Sequence, residues 1–461
     1  MPLLAAFLHE RLFLVLLLLF IIAVLHMLSA RLHISYPIVL VLGGLGISLI
    51  PGMPLVQLDP ELVFVIFLPP LLYEAAWTTS WRDFWKWRRP IGLLAFGLVF
   101  FTSSIVAVVA HAMIPGFSLA MGFLLGGIIS PPDAVAATSI LQGLRVPKRV
   151  VTILEGESLV NDASSLIVFR FAVAAILTGQ FALVPAIGNF FWVAGMGIVV
   201  GLAIAYIIYW IHKLLPTTSS IDVALTIMSP YLMYLAAEEL HVSGIMAVVC
   251  GGLFLSYRSS EFMNYRARIQ GYSVWETLSF LLNGFVFILI GLQLPVITAD
   301  LDMPPLPALI YAVVISLLTI VVRFIWVFPA TYIPRFLSKR IRERERRPSL
   351  KAVLLVAWAG MRGVVSLASA LAIPLSLTDG SAFPYRNFIL FITFMVILIT
   401  LVLQGLTLPR IIAALDLPVE DTETEHERHL TRLQARMAKA ALHHLDTHYK
   451  EQVEGTEAFV R

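Results

Sequence analysis

Hydrophobic residues run along this chain in long blocks, separated at fairly regular intervals by short polar or Pro/Gly-rich joints. A helix needs about 20 apolar residues to cross a bilayer, fewer where it is interrupted or enclosed by protein. By that measure thirteen segments qualify as spans: 11–31, 36–51, 61–78, 90–114, 118–143, 157–179, 184–211, 219–238, 242–257, 276–295, 307–333, 351–373 and 387–414. Joints such as Ile50-Pro51-Gly52 and Ile114-Pro115-Gly116 mark where the chain turns. Beyond Leu415 the pattern changes. Residues 416–461 are polar, with an acidic lead of Glu420, Asp421, Glu423, Glu425 and Glu427 followed by a basic, helix-prone run. The expected organisation is all-α and polytopic, with a transmembrane domain over 1–415 and a cytoplasmic tail over 416–461.

Composition agrees with the pattern. Of 461 residues 59% are apolar and 13% are charged, against about 25% charged in soluble domains. The mean hydropathy is +0.89. A large soluble core is excluded, and no nucleic-acid partner is expected. No Walker loop or glycine-rich phosphate motif occurs, which argues against nucleotide-driven pumping, and no cofactor is expected. The single cysteine, Cys250, excludes an internal disulfide. The first apolar run lacks a lysine-rich lead and a small-residue cleavage site, so it is expected to remain as a helix.

The net charge of +3 matters less than where the charges fall. The joints after spans 1, 3, 5, 7, 9 and 11 hold 1, 4, 3, 1, 3 and 8 Lys or Arg, while the opposite side holds only Arg11 and Arg386. This 20-to-2 asymmetry alternates without exception and places the N-terminus outside and the C-terminus in the cytoplasm. An odd count has a further consequence. Six plus one plus six spans makes two six-helix units inverted relative to each other, a common transporter plan whose sites lie where discontinuous helices meet. Spans 5 and 12, the fifth of each unit, should then both be broken. Span 5 carries Gly126-Gly127-Ile128-Ile129-Ser130-Pro131-Pro132-Asp133, whose two prolines remove two backbone donors. Span 12 carries Ala359-Gly360-Met361-Arg362-Gly363, an arginine between two glycines.

Seven ionisable residues fall well inside spans: Glu74, Asp133, Glu157, Asp162, Arg170, Arg323 and Arg362. Charges there are expensive and mark function or pairing. The densest polar stretch is Glu155 to Phe171. On a helix, Ser158 and Asp162 share one face, and Glu157 and Asn161 share a neighbouring one. A carboxylate, a hydroxyl and the carbonyls freed at a helix break are hard oxygen ligands suited to a small alkali cation. No Cys/His cluster suggests a transition metal. Asp162, taking either a proton or a cation, is already an exchange device. For Glu157 with Arg362, and for Arg170 and Arg323, the plainer expectation is helix-to-helix pairing. Glu74, after Pro69-Pro70, is expected to support Asn161.

These residues carry a resemblance. Phe67 to Glu74, Gly127 to Val135, Glu155-Gly-Glu-Ser-Leu-Val-Asn-Asp162, Ser243 to Val248, Asn283-Gly with Gly291-Leu292, and Gly360-Met-Arg-Gly363 occur in order over most of the membrane region. Together they resemble the monovalent cation:proton antiporters, in the branch of bacterial and animal sodium/proton exchangers. The resemblance implies a thirteen-helix inverted-repeat fold and a homodimer in the plasma membrane. Spans 4–6 and 11–13 would move against a scaffold of spans 1–3 and 7–10. It implies that Asp162 binds Na⁺, or K⁺ or Li⁺, in competition with H⁺. Asp133 and Ser158 would join in coordination, Asn161 would brace the site, and Glu157 and Arg362 would form an ion pair. The Asn161-Asp162 pair matches the electroneutral type. One departure stands out: Pro131-Pro132 precede the acid of span 5, where the family usually has a proline after it. Two other readings fit parts of the chain: a pH-gated monovalent cation channel, and an intramembrane aspartyl protease using Asp133 and Asp162.

Overall fold

The apolar blocks fold as helices, and the described residues contain no strand beyond an isolated bridge between Ser376 and Ala382. The computed structural model describes residues 2–51, 63–141, 144, 146–179, 183–299, 301, 303–344, 347–377, 379–416 and 421–448. Positions 61–62 of the third expected span, and 417–420 and 449–461 of the tail, lie outside them. In order the principal helices are α1 (Pro2–Leu32), α2 (Tyr36–Ser48), α3 (Leu68–Thr78), α4 (Val99–Met113), α5 (Leu119–Ile129), α6 (Ala134–Leu141), α7 (Lys148–Thr178) and α8 (Leu183–Leu214). They continue as α9 (Ser219–Glu239), α10 (Gly244–Phe262), α11 (Tyr265–Leu292), α12 (Pro305–Leu337), α13 (Leu350–Trp358), α14 (Val364–Leu371), α15 (Arg386–Leu415) and α16 (Asp421–His448). Among the described residues, nine helical segments are long and apolar enough to cross a membrane. The chain is therefore an all-helical, multi-pass membrane protein.

Local signals set the helix ends. Ser118, Thr218, Ser243, Asn264 and Ser349 each cap a helix by accepting a backbone N–H three residues on. Gly179, in the left-handed region at φ 67°, closes α7. Within lipid the helices cannot be driven together by water, so close backbone approach matters more. A Cβ on Gly122 or Gly126 of α5 would lie 2.6 and 2.7 Å from the backbone of Ala107 and Ser103 on α4. Gly44 and Gly291 join α2 to α11 in the same way, and Gly201 seats α8 on Ala247 of α10.

The two interruptions expected in spans 5 and 12 are present. Residues 130–133 separate α5 from α6, and residues 359–363 separate α13 from α14. The breaks touch: the Asp133 amide donates to the Met361 carbonyl at 2.7 Å. The buried apolar side chains form two clusters. One gathers α1, α2, α4–α6 and α11–α15; the other gathers α3 and α8–α11. Helix α7 contributes Ile153 and Phe169 to the first and Leu159 and Ala163 to the second, so it lies along the seam.

Candidate functional site

Two helices broken inside a membrane expose four sets of backbone groups, and here each set has a partner. At the end of α5, the Arg362 Nε donates to the Ile129 carbonyl at 2.9 Å. At the end of α13, the Arg323 Nε and Nη2 donate to the Val356 carbonyl at 3.2 and 3.1 Å. A guanidinium thus meets the negative end of each first half-helix. The opposite ends converge on a carboxylate. Asp133 Oδ1 accepts from Val135 N at 2.8 Å and Ala136 N at 3.5 Å, capping α6, and the Val364 amide of α14 also reaches the carboxylate. Ser158 Oγ accepts the Ala134 amide at 3.1 Å. Asn161 Nδ2 donates to the Pro132 carbonyl at 3.1 Å. Arg362 also bonds the Gly360 carbonyl, and its amide donates to Thr400 Oγ1 of α15 at 3.2 Å.

Two sequence expectations are corrected by this geometry. Glu157 does not pair with Arg362. Its two oxygens take Arg323 Nη1 and Nη2 at 2.5 and 2.7 Å, a bidentate pair with both side chains 1% exposed or less. Arg362 instead gives its Nε and Nη1 to carbonyls at the breaks, and its buried Nη2 has no hydrogen-bond partner among the described residues. The reason is geometric: the planar Arg323 fork fits a carboxylate and the Val356 carbonyl together, while Arg362, held on the break itself, fits the freed carbonyls. Nor does Asn161 bond to Glu74. Pro132 lies in the break, before α6 begins, and the Ala136 amide that could have reached its carbonyl turns to Asp133, so the Asn161 amide takes that carbonyl. Arg170, expected as pairing, is bonded to Glu238 at 3.1 Å in a half-exposed pair.

Asp162, Asp133, Ser158 and Glu74 come together on the wall of one cavity of about 310 Å³. Asp162 is 6% exposed, and among the described residues no hydrogen bond reaches its carboxylate. It is the acid with oxygens to spare, whereas Asp133 is engaged by helix amides. The cavity lies between α3 and α11 on one side and α6, α7 and α14 on the other. It also reaches Glu155, Thr138 and Asn283, to which sequence reasoning assigned no role in the site. Glu155 had a usable signal: it stands seven residues before Asp162, on the same helical face. Gly363 is the tightest point. A Cβ there would overlap the Asp133 carboxylate.

Residues 15–414 match the family described as transmembrane sodium/hydrogen exchangers. The chain is 36% identical over 407 residues to the sodium, potassium, lithium and rubidium/H⁺ antiporter of Bacillus pumilus, covering 85% of this chain and 60% of that protein. It is 38% identical over 378 residues to the Bacillus subtilis protein of the same description, covering 80% and 56%. The chain therefore spans about three fifths of the length of these relatives. In fold it is similar to the sodium proton antiporter MjNhaP1 of Methanocaldococcus jannaschii, with a TM-score of 0.68 and 21% identity, covering 88% of this chain and 99% of that one.

Proposed function

The chain belongs to the sodium/hydrogen exchanger family, and from that membership we propose that it exchanges Na⁺, or K⁺ or Li⁺, for H⁺ across the plasma membrane. The observation that carries the reading is Asp162. A nearly buried carboxylate faces a cavity with no internal hydrogen bond among the described residues, beside oxygens of Ser158 and Asp133. Such a group must be neutralised by something from outside, and a proton or a monovalent cation each does so. They compete for one carboxylate, so one is carried in and the other out. A 1:1 swap on one acid moves no net charge. The capping role of Asp133 supports this count, since a carboxylate holding helix amides is poorly placed to carry a second proton.

The finer architecture belongs to the same proposal. Thirteen spans in two inverted six-helix units account for the paired breaks and for the matched caps: an arginine at the end of each first half-helix and Asp133 at the start of both second halves. In the proposed division spans 4–6 and 11–13 move as a core, and spans 1–3 and 7–10 stand as a scaffold in a homodimer. The cavity between α3 with α11 and α6 with α7 and α14 lies along that division. It extends from Asp162 toward Thr78, Thr138 and Glu155, next to the joints rich in Lys and Arg. With the N-terminus outside, this is an inward-facing arrangement.

The test is transport by purified protein in liposomes, read by a pH-sensitive dye after addition of Na⁺, K⁺ or Li⁺, with and without a membrane potential. Asp162→Asn should abolish exchange while the protein remains folded, and the wild-type rate should not change with potential. Exchange retained by Asp162→Asn would reject the assignment. Large unitary currents would replace it with the channel reading.

A further inference from the structure

Four carboxylates line the cavity at Asp162, namely Glu74, Asp133, Glu155 and Asp162 itself, and among the described residues no Lys, Arg or His lines it. On the wall facing α7, helix α11 contributes one residue to the lining, Asn283. Asn283 is 5% exposed, and among the described residues no hydrogen bond reaches its amide. A buried amide left unpaired is costly unless something inside the cavity takes it. Its carbonyl oxygen is a hard ligand of the kind that holds small cations. Val286, three residues on, shares a small apolar hollow with Val364 of α14, whose amide reaches Asp133. Asn283 therefore stands near the level of the helix breaks. The helix that carries it is fastened to the side proposed to stand still. A Cβ on the adjoining Gly284 would lie 2.6 Å from Ile22 of α1, and Gly291 seats on the backbone of Val41 in α2. Ser158 and Asp162 are on α7, in the part proposed to move.

We propose that Asn283 lends its side-chain oxygen to the cation at Asp162, and that it does so only while the cavity opens to the cytoplasm. A ligand on the scaffold cannot travel with the ion. When the core moves, Asp162, Asp133 and Ser158 go with it and Asn283 stays behind. The cation is then held more tightly on the cytoplasmic face than on the outer one, and a single side chain makes the difference. The cavity, at about 310 Å³, is wide enough for a cation that keeps part of its water, so the contact can run through one of those waters. The other use of this amide is to donate its N–H to a cavity carboxylate, and the test separates the two. The inference rests on the exchange reading and the inward-facing arrangement proposed above.

The experiment measures Na⁺-driven proton movement in inside-out and in right-side-out membrane vesicles, from a host without sodium/proton exchangers of its own, expressing the full chain. The apparent KM for Na⁺ is read at each face at alkaline pH. N283L keeps the volume but loses the oxygen. Its KM at the cytoplasmic face should rise by about tenfold, the order expected when a bond to a charged partner is lost, with the maximal rate and the outer-face KM little changed. Ser158→Ala, on the moving part, should raise KM at both faces. N283D keeps an oxygen but has no N–H to donate when ionised, and its cytoplasmic KM should stay at or below that of the wild type. An unchanged cytoplasmic KM in N283L, or a rise at both faces, would overturn the proposal. A loss in N283D as large as in N283L would overturn the oxygen as ligand in favour of the N–H. A merely structural role gives the opposite order, with leucine tolerated in a buried span and aspartate not. N283A repeats the measurement if N283L does not fold, and if neither folds the residue is structural and the proposal fails. Asp162→Asn in the same vesicles keeps the two ideas apart. Exchange that survives it rejects the transport reading, whereas its loss beside a wild-type profile in N283L rejects only this inference.

Discussion

Replacing Arg323 by alanine tests the corrected charge network most directly. The side chain is fully buried and holds Glu157 through two bonds of 2.5 and 2.7 Å, while also satisfying the Val356 carbonyl at the end of α13. Removing one partner of a buried pair leaves an uncompensated charge and typically costs about 3–5 kcal/mol. The stranded carbonyl adds a penalty of about 1–3 kcal/mol, though the two do not simply add. Arg362→Ala should cost less, about 1–3 kcal/mol, because Arg362 bonds carbonyls and no carboxylate directly. Arg170→Ala, in a pair whose side chains are 42% and 34% exposed, should cost about 0.2–1 kcal/mol. The expected order of thermal unfolding midpoints in detergent is therefore Arg170→Ala highest, then Arg362→Ala, then Arg323→Ala. The double change Arg323→Ala with Glu157→Ala removes the stranded carboxylate, so it should be less damaging than the sum of its parts. An Arg362→Ala protein less stable than Arg323→Ala, or fully additive double-variant losses, would refute the pairing described here.

Three further outcomes follow from the same geometry. Gly363→Ala should abolish transport and lower the unfolding midpoint, because the added methyl overlaps the Asp133 carboxylate that caps two half-helices; liposome flux and thermal unfolding check it together. Gly126→Leu should destabilise by about 1–3 kcal/mol or more, since its Cβ meets the Ser103 backbone rather than a movable side chain; Gly92→Ala, with nothing within 4 Å of the new atom, is the matched control. If proton and cation share Asp162, acidifying the cation-entry side should raise the apparent KM for Na⁺ by up to about tenfold per pH unit with the maximal rate little changed, by mass action on one site. A KM independent of pH across the active range would show that the two ligands do not compete.

How much of this was legible in the sequence depended on whether a feature was local. The breaks were local: two prolines before Asp133 and two glycines around Arg362 each disrupt a helix by their own backbone chemistry, and both breaks are where those residues stand. The face shared by Ser158 and Asp162 was local too, since it follows from helical spacing alone. Partner choice was not local. Nothing in the spacing of Glu157, Arg323 and Arg362 says which arginine reaches the carboxylate, because they stand on two different helices and a helix break and the outcome is set by packing. The same limit hid the double use of Asp133. A carboxylate next to a helix break reads as a cation ligand, yet the break itself supplies amides that need an acceptor, and they claim it first. A sharper reading would have matched each backbone group freed at the two breaks against every buried side chain before assigning any of them to the ion. On that reckoning the arginines go to the carbonyl ends and Asp133 to the amide ends. Asp162 is left over, and a buried acid with no internal duty among the described residues is the one free to serve the exchange proposed above.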